Sequence, residues 1–200
     1  MNDKEETKKA YNTYPEKFNK KFEVYFHNFV KKEADLFLKH LQGKTILDIG
    51  AGPGIHAIYF KEQGYDPFCI DISEAMIELC KKRRLKAEVK DIEQLEMHDV
   101  FDGIWAYTVL LHIPKKRIPP IIKKIASLLK PQGIFGLAIK EGQGEGFEKN
   151  EDYPQTRRWF TYFTEKEIQV MYKNEFELMH VSKTPIKNQI FVNYLLRKKA

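Results

Sequence analysis

Apolar residues recur at three- and four-residue intervals at the start of the chain. Tyr11, Phe18, Phe22, Tyr25, Phe26, Phe29, Leu36, Phe37 and Leu41 make one stripe, which predicts helix over residues 3–41. Pro15 either starts a second helix or breaks the first, and Gly43 closes the region as a glycine just past a helix does. From Lys44 the period changes. "KTILDIG" is short and continuously apolar, so it reads as a strand buried on both faces. "DPFCIDI", "KAEVKDI", "FDGIWAY" and "GIFGLAIK" read as further strands. Between them lie three helical segments: "GIHAIYFKEQG", "SEAMIELCKKRR" with Ser73 as N-cap, and "IPPIIKKIASLLK", stopped before Pro131. "TEKEIQVMYKN" is a helix opened by a capping box, Thr164 with Glu167. "FELMHVSK" and "QIFVNYLLRK" close the chain as two strands in a hairpin.

Strands alternating with helices predict an α/β fold with a mostly parallel sheet covered on both faces. The last two strands have no helix between them, so the sheet is expected to end in an antiparallel edge. One long irregular loop remains, Lys140 to Gln155, and a loop of that length in a compact domain is usually functional or disordered.

Composition narrows the class. At 200 residues, 42% hydrophobic and 31% charged, the chain suits one well-buried core. No apolar run approaches the ~20 residues of a membrane helix. The start, "MNDKEETKKA", is polar and unlike a secretory signal, so the expected compartment is the cytoplasm, with no membrane partner. Cys69 and Cys80 support no disulfide framework and read as small core residues. The six histidines show no HExxH or CxxC pattern, so no metal is expected. The net charge of +6 is spread in short clusters at helix ends and faces. A nucleic-acid partner is therefore compatible with the charge but not favoured.

The chemistry centres on "TILDIGAGPGIH". Gly50, Gly52 and Gly54 follow the first strand at once and open the next helix, so either the backbone turns sharply or something comes very close to it. In such sheets ligands bind at the carboxyl ends of strands, and a helix N-terminus favours a negative group. Asp71 ends the second strand, where a carboxylate accepts from both hydroxyls of a ribose, and Asp91 ends the third, where it can accept from an adenine amine. Together they point to a nucleoside site. The spacing is GxGxG, with Ile55 where a dinucleotide fingerprint has its third glycine. Asp48, inside the strand just before the loop, suits a ligand carrying an ammonium or sulfonium and would repel a pyrophosphate.

At these residues the sequence resembles the class I S-adenosylmethionine-dependent methyltransferases. "ILDIGAGPG", "CIDIS", "VKDIEQL" and "FDGIWAYTVLLHIP" resemble four successive motifs of that family, covering about residues 40–140. The resemblance implies a Rossmann-like three-layer sandwich whose seven-stranded sheet has an antiparallel last strand, preceded here by N-terminal helices. It implies S-adenosyl-L-methionine as cofactor and S-adenosyl-L-homocysteine as product. Gly50, Ala51, Gly52 and Gly54 would form the loop at the methionine part. Asp48 would lie near its amino group, directly or through water. Asp71 would hold the ribose, Ile72 and Met76 would flank the adenine, and Asp91 with the Ile92 backbone would read its edge. Tyr107 would sit by the reactive methyl.

The expected division is a helical cap (1–42), a cofactor-binding core (43–140) and a substrate loop, helix and hairpin (141–200). Methyl transfer needs donor and acceptor held in line, and a base only for an acceptor that arrives protonated; His112 is the candidate. The acceptor side is expected from Tyr11, Tyr14, Lys140 and Glu141, with Arg157 or Arg158 in "RRWFTYF" pairing with a substrate carboxylate or phosphate, or with Glu141 instead. "YTVL" at Tyr107 replaces the Asn/Asp-Pro-Pro-Tyr of enzymes that methylate amide or base nitrogens. The leading expectation is therefore a small-molecule acceptor, ahead of RNA or protein and of a non-catalytic binding module.

Overall fold

The computed structural model describes residues 2–98 and 100–199. Within its first thirteen residues the chain makes one helix, α1 (Asp3–Thr13), capped by the Asn2 side chain, which accepts from the Glu5 N–H. Pro15 opens α2 (Pro15–Tyr25), as a proline at the first helical position does. The apolar stripe then continues through a π turn, Phe26–Val30, into α3 (Lys31–His40). The parallel core follows: β1 (Thr45–Ile49), α4 (Ile55–Glu62), β2 (Asp66–Asp71), α5 (Glu74–Lys82), β3 (Lys86–Val89), β4 (Phe101–Tyr107), α6 (Ile118–Leu128) and β5 (Leu129–Glu141). The chain closes with β6 (Glu145–Lys149), β7 (Arg157–Phe163), α7 (Glu165–Tyr172), β8 (Phe176–Ile186) and β9 (Gln189–Lys198). Ser73 caps α5 by accepting from the Met76 N–H, and Thr164 with Glu167 forms the capping box of α7.

The sheet runs β3-β2-β1-β4-β5-β9-β8, parallel except for β9, which is antiparallel to both of its neighbours. The expected antiparallel edge is thus displaced by one position. The last strand inserts between β5 and β8, because Val192, Tyr194, Leu195 and Leu196 are apolar on both of its faces and need cover that an edge cannot supply.

Period-two alternation divides the core between the two faces. Leu47, Ile49, Ile104, Phe135 and Leu137 point into a layer shared with Ile121, Ile122 and Ile125 of α6 and Ile168 of α7. Ile46, Trp105, Ile134 and Leu195 point the other way, onto Phe37, Ala34 and Leu38 of α3 and Phe60 of α4. Each fully buried Leu, Ile or Phe contributes about 1.5–3 kcal/mol. Cys69 and Cys80 are buried between β2 and α5.

The segment read as an irregular loop is largely ordered backbone. β5 runs on to Glu141, and β6 pairs antiparallel with β7, whose last residues rejoin β5 at Lys140↔Tyr162 and Glu141↔Phe163. The hairpin rises beyond the carboxyl end of β5. There α1 lies across it and reaches over the ends of the parallel strands. Thr7 Oγ1 accepts from the Trp159 N–H at 3.0 Å, Lys8 and Asn12 hold Glu74, and Lys4 holds Asp91 and Glu93.

Candidate active site

The glycine loop forms because β1 must turn into α4 within five residues, and Gly50, Gly52 and Gly54 all take positive φ, at 66°, 55° and 81°. Their surroundings differ. A Cβ on Gly54 would fall 2.6 Å from Leu85 Cδ1 and 3.0 Å from Cys80 Sγ, so this glycine lets α4 start close against α5 and lines neither cavity described below. A Cβ on Gly52 would meet only the Phe22 ring, at 3.6 Å. Here the backbone borders open space.

Asp71 fixes this turn. Its Oδ2 accepts from the Gly52 N–H at 2.9 Å and its Oδ1 from the Ser73 N–H at 2.8 Å. Burial raises its carboxyl above the ordinary value, against the pull of these N–H groups. Asp48 lies beneath the loop with 1% exposure, and its Oδ2 has no partner in the protein. Burial, and then the charge of Asp71, pushes its carboxyl up to about 8. Asp91 caps the turn after β3: Oδ1 accepts from the Glu93 N–H at 2.9 Å, and Oδ2 is held by Lys4.

Two cavities meet at this loop. One, of about 100 Å³, runs along Asp71, Ile72, Asp91 and Ile92 under α1. The other, of about 360 Å³, opens between α2, the end of β4 and the β6–β7 hairpin. Tyr11, Phe22, Gly50, Gly52, Thr108 and His112 line both. Thr108, just past β4, holds φ of 62°, a strained value for a threonine, at the junction of the two spaces.

Tyr107 lines the larger cavity and stacks on Trp105 at 4.9 Å between centroids. Its hydroxyl donates to Asn193 Oδ1 at 2.6 Å, and burial raises its pKa well above the ordinary value. His112 is engaged at both nitrogens. The Trp159 carbonyl only accepts, so Nδ1 carries the proton (2.7 Å) and Nε2 accepts from the Tyr11 hydroxyl (2.8 Å). Burial, then the charge of Arg158, pushes its pKa down to about 3.

Of the residues expected on the acceptor side, Tyr11 and Lys140 line the larger cavity, whereas Tyr14, Glu141 and Arg157 do not. Tyr14 is the N-cap of α2 and packs on Tyr153. Glu141 pairs with Lys183 at 2.5 Å. Arg157 pairs with Glu6 and stacks on Phe147 at 4.1 Å. Strand alternation in β7 is the reason: Arg158, Phe160 and Tyr162 share the cavity face, and Arg157 points away. Met76 is also displaced from its expected place. It is fully buried among Phe18, Leu79 and Tyr153 and lines neither cavity. Among the lining residues that escaped the sequence reading are His56, whose Nδ1 accepts from the Trp105 indole at 2.9 Å, Thr108, Lys21 of α2, and the charged Glu148, Lys149 and Lys187. Lys21 had a signal, since Phe18, Phe22 and Tyr25 flank it on the helix. Among the described residues no group of three or more His, Cys, Asp or Glu is placed to hold a metal.

Comparison with known proteins agrees with this geometry. A family model described as "Methyltransferase domain" matches residues 46–133. That segment is similar to the methyltransferase-domain family, and the whole chain has the Rossmann-like fold seen in solved S-adenosylmethionine-dependent methyltransferases. The chain is similar to magnesium protoporphyrin IX methyltransferase of Synechocystis PCC 6803, solved with bound S-adenosylmethionine. That likeness has a TM-score of 0.75 at 18% identity and covers 100% of this chain and 98% of that one. It is similar to the 1,6-didemethyltoxoflavin-N1-methyltransferase of Burkholderia thailandensis, solved with bound 1,6-didemethyltoxoflavin and S-adenosylhomocysteine. There the TM-score is 0.69 at 21% identity, covering 93% of this chain and 91% of that one. In sequence it is 32% identical over 111 residues to the chloroplastic magnesium protoporphyrin IX methyltransferase of Arabidopsis thaliana, 51% of this chain and 35% of that one. The chain spans about two fifths of the length of the curated relatives it matches.

The residues present fit S-adenosylmethionine. A backbone turn bare of side chains borders the crevice, Asp71 and Asp91 suit its sugar and base, and the orphaned Asp48 carboxyl, which lies beneath the loop and lines neither cavity, suits a ligand that brings its own cation close to it.

Proposed function

We propose that this protein transfers a methyl group from S-adenosylmethionine to a small-molecule acceptor. The observation that carries the reading is the join of the two cavities at Gly50, Gly52, Thr108 and His112. One side offers carboxylates for a nucleoside. The other is a larger chamber lined with rings, and the junction is where donor and acceptor would meet. The names of the similar proteins, directed at small molecules, support the acceptor class.

When bound, S-adenosylmethionine supplies an electrophilic methyl carbon on a sulfonium sulfur. The chain holds its ribose through Asp71, its adenine through Asp91 and the Ile92 backbone, and its amino group near Asp48. Tyr107 and His56 wall the chamber at the methyl end. Holding two reactants in line and dry supplies several kcal/mol, with about 7–11 as the upper range. His112, pushed down to about 3 and already accepting from Tyr11, is a weak base. We therefore assign it to positioning the Tyr11 hydroxyl at the junction, and the reading favours an acceptor that arrives deprotonated.

In this reading residues 1–42 cap the crevice, 43–140 hold the cofactor and 141–200 shape the acceptor chamber. A cytoplasmic setting belongs to the same reading, supported by two free buried cysteines. No helix among the described residues is long and apolar enough to cross a membrane.

Thermal unfolding with and without S-adenosylhomocysteine tests the proposal. A rise in Tm that adenosine triphosphate does not reproduce supports it, and so does radiolabelled methyl transfer in an acceptor screen. A protein stabilised by neither form of the cofactor would falsify it.

A further inference from the structure

The larger cavity holds an unbalanced charge. Its lining carries five basic residues, Lys21, Lys140, Lys149, Arg158 and Lys187, against one carboxylate, Glu148. Glu148 is already committed: it accepts from the Tyr162 hydroxyl and lies 3.7 Å from the Lys140 ammonium.

Arg158 stands out. Among the described residues it has no carboxylate partner within ion-pair distance, and its one side-chain hydrogen bond goes to the Tyr11 hydroxyl at 3.3 Å. The guanidinium lies among four rings instead, 4.9 Å from Phe160, 5.1 Å from Phe18, 5.5 Å from Tyr153 and 5.6 Å from Tyr11. Rings hold it in place and leave its fork of donors largely unused. Lys140, 12% exposed, sits 3.5 Å from the Phe160 centroid. Lys21 lies between the Tyr25 and Tyr153 rings, 5.5 Å from each, and also has no carboxylate partner among the described residues. The three cations press on one another: burial first, then Arg158, holds Lys21 below the usual lysine range. Burial, with Arg158 and Lys21 adding to it against the pull of Glu148, lowers Lys140 to about 8. Like charges gathered in a half-buried chamber are unfavourable unless an anion joins them.

We propose that the acceptor is an anion, a compact molecule with a ring-sized apolar body whose carboxylate or phosphate is clasped by Arg158 with Lys21 and Lys140 beside it. The rings of Phe160 and Tyr162 flank the body, and the anionic group lies on the hairpin side of the chamber. This inference rests on the methyltransferase reading and names the acceptor class within it.

Benzoate, phenyl phosphate and the neutral isostere benzamide are the probes, titrated calorimetrically into the full chain with and without saturating S-adenosylhomocysteine. At least one anion is expected to bind about tenfold tighter than benzamide or more, as hydrogen bonds to a charged group allow. The stronger of the two identifies the source as carboxylate or phosphate. Arg158→Gln should abolish the preference. Because Arg158 packs on four rings and its replacement removes that packing, Lys21→Gln is the second variant, expected to reduce the preference severalfold. Benzamide binding as tightly as both anions, no measurable binding of either anion, or a preference untouched by both variants overturns the proposal. Anion preference without any S-adenosylhomocysteine binding would sink the methyltransferase reading instead.

Discussion

The Tyr11 hydroxyl lies 2.8 Å from His112 Nε2, across 101 residues of sequence, and ties the first helix to the loop after β4. The Trp159 carbonyl takes the Nδ1 proton, and burial keeps His112 neutral, so Nε2 accepts from the Tyr11 hydroxyl. Tyr11→Phe leaves Nε2 buried with no donor and should cost about 1–3 kcal/mol of stability, with little change in affinity for S-adenosylhomocysteine. Chemical denaturation and calorimetry read the two effects separately. A variant as stable as the parent would contradict the assignment.

The same histidine makes the fold sensitive to acid. Its folded pKa of about 3 lies below the unfolded value of 6.5, and His56, buried beside Trp105, is lowered to about 4. Between these values and 6.5 the unfolded chain binds more protons, so this contribution is whole above 6.5 and is lost as pH falls. His112→Gln should flatten the fall in Tm between pH 6.5 and 4. An unchanged slope would argue that the ring is already charged in the native protein.

Asp48 acts in the opposite sense. Its folded pKa, about 8, lies above the unfolded value of 3.8, so the native state holds the extra proton and loses stability as pH rises toward 8. A ligand ammonium reverses the preference and should drive the proton off. Binding of S-adenosylhomocysteine at pH 7 is therefore expected to release a proton, seen as a binding enthalpy that depends on the buffer's ionisation enthalpy. Asp48→Asn should abolish that dependence. Buffer-independent binding by the parent protein would rule this out.

Gly52 and Gly54 have separable tasks. Gly54→Ala strains a φ of 81° and drives a methyl into Leu85, so it should lower stability by about 1–3 kcal/mol while the folded fraction still binds S-adenosylhomocysteine. Gly52→Ala has room on the protein side and intrudes on the crevice, so it should weaken binding by far more than its strain weakens the fold. Equal loss of affinity in both variants would contradict this division.

Lys4 holds the Asp91 Oδ2 and also pairs with Glu93, so in the proposed reading it would compete with the ligand's adenine for Asp91. Lys4→Met should raise the affinity for S-adenosylhomocysteine about two- to fivefold, the range of a partly exposed ion pair, and speed its association. Weaker binding would mean that Lys4 closes the crevice rather than blocking it.

Local signals made the parallel core, the glycine loop and both strand-end acids legible in the sequence. A strand that must be buried on both faces reads as an apolar run, and Ser73 and Thr164 announce their helices by short-range hydrogen bonds. The β6–β7 hairpin was hidden because "EGFEK" carries one apolar residue, Phe147, too few to show a period of two. Without that strand, Arg157 and Arg158 were equivalent; alternation along β7 separates them at once. The place of β9 between β5 and β8, and the reach of α1 to Asp91, depend on contacts between residues far apart in the chain, and no local pattern records those.

A crystal structure with S-adenosylhomocysteine tests the central claim most directly. The account predicts ribose hydroxyls on the Asp71 carboxylate, the adenine beside Asp91 and Ile92, and the homocysteine sulfur at the junction beside Gly52 and His112. Ligand density elsewhere on the molecule, with Asp71 still bonded only to Gly52 and Ser73, would contradict it.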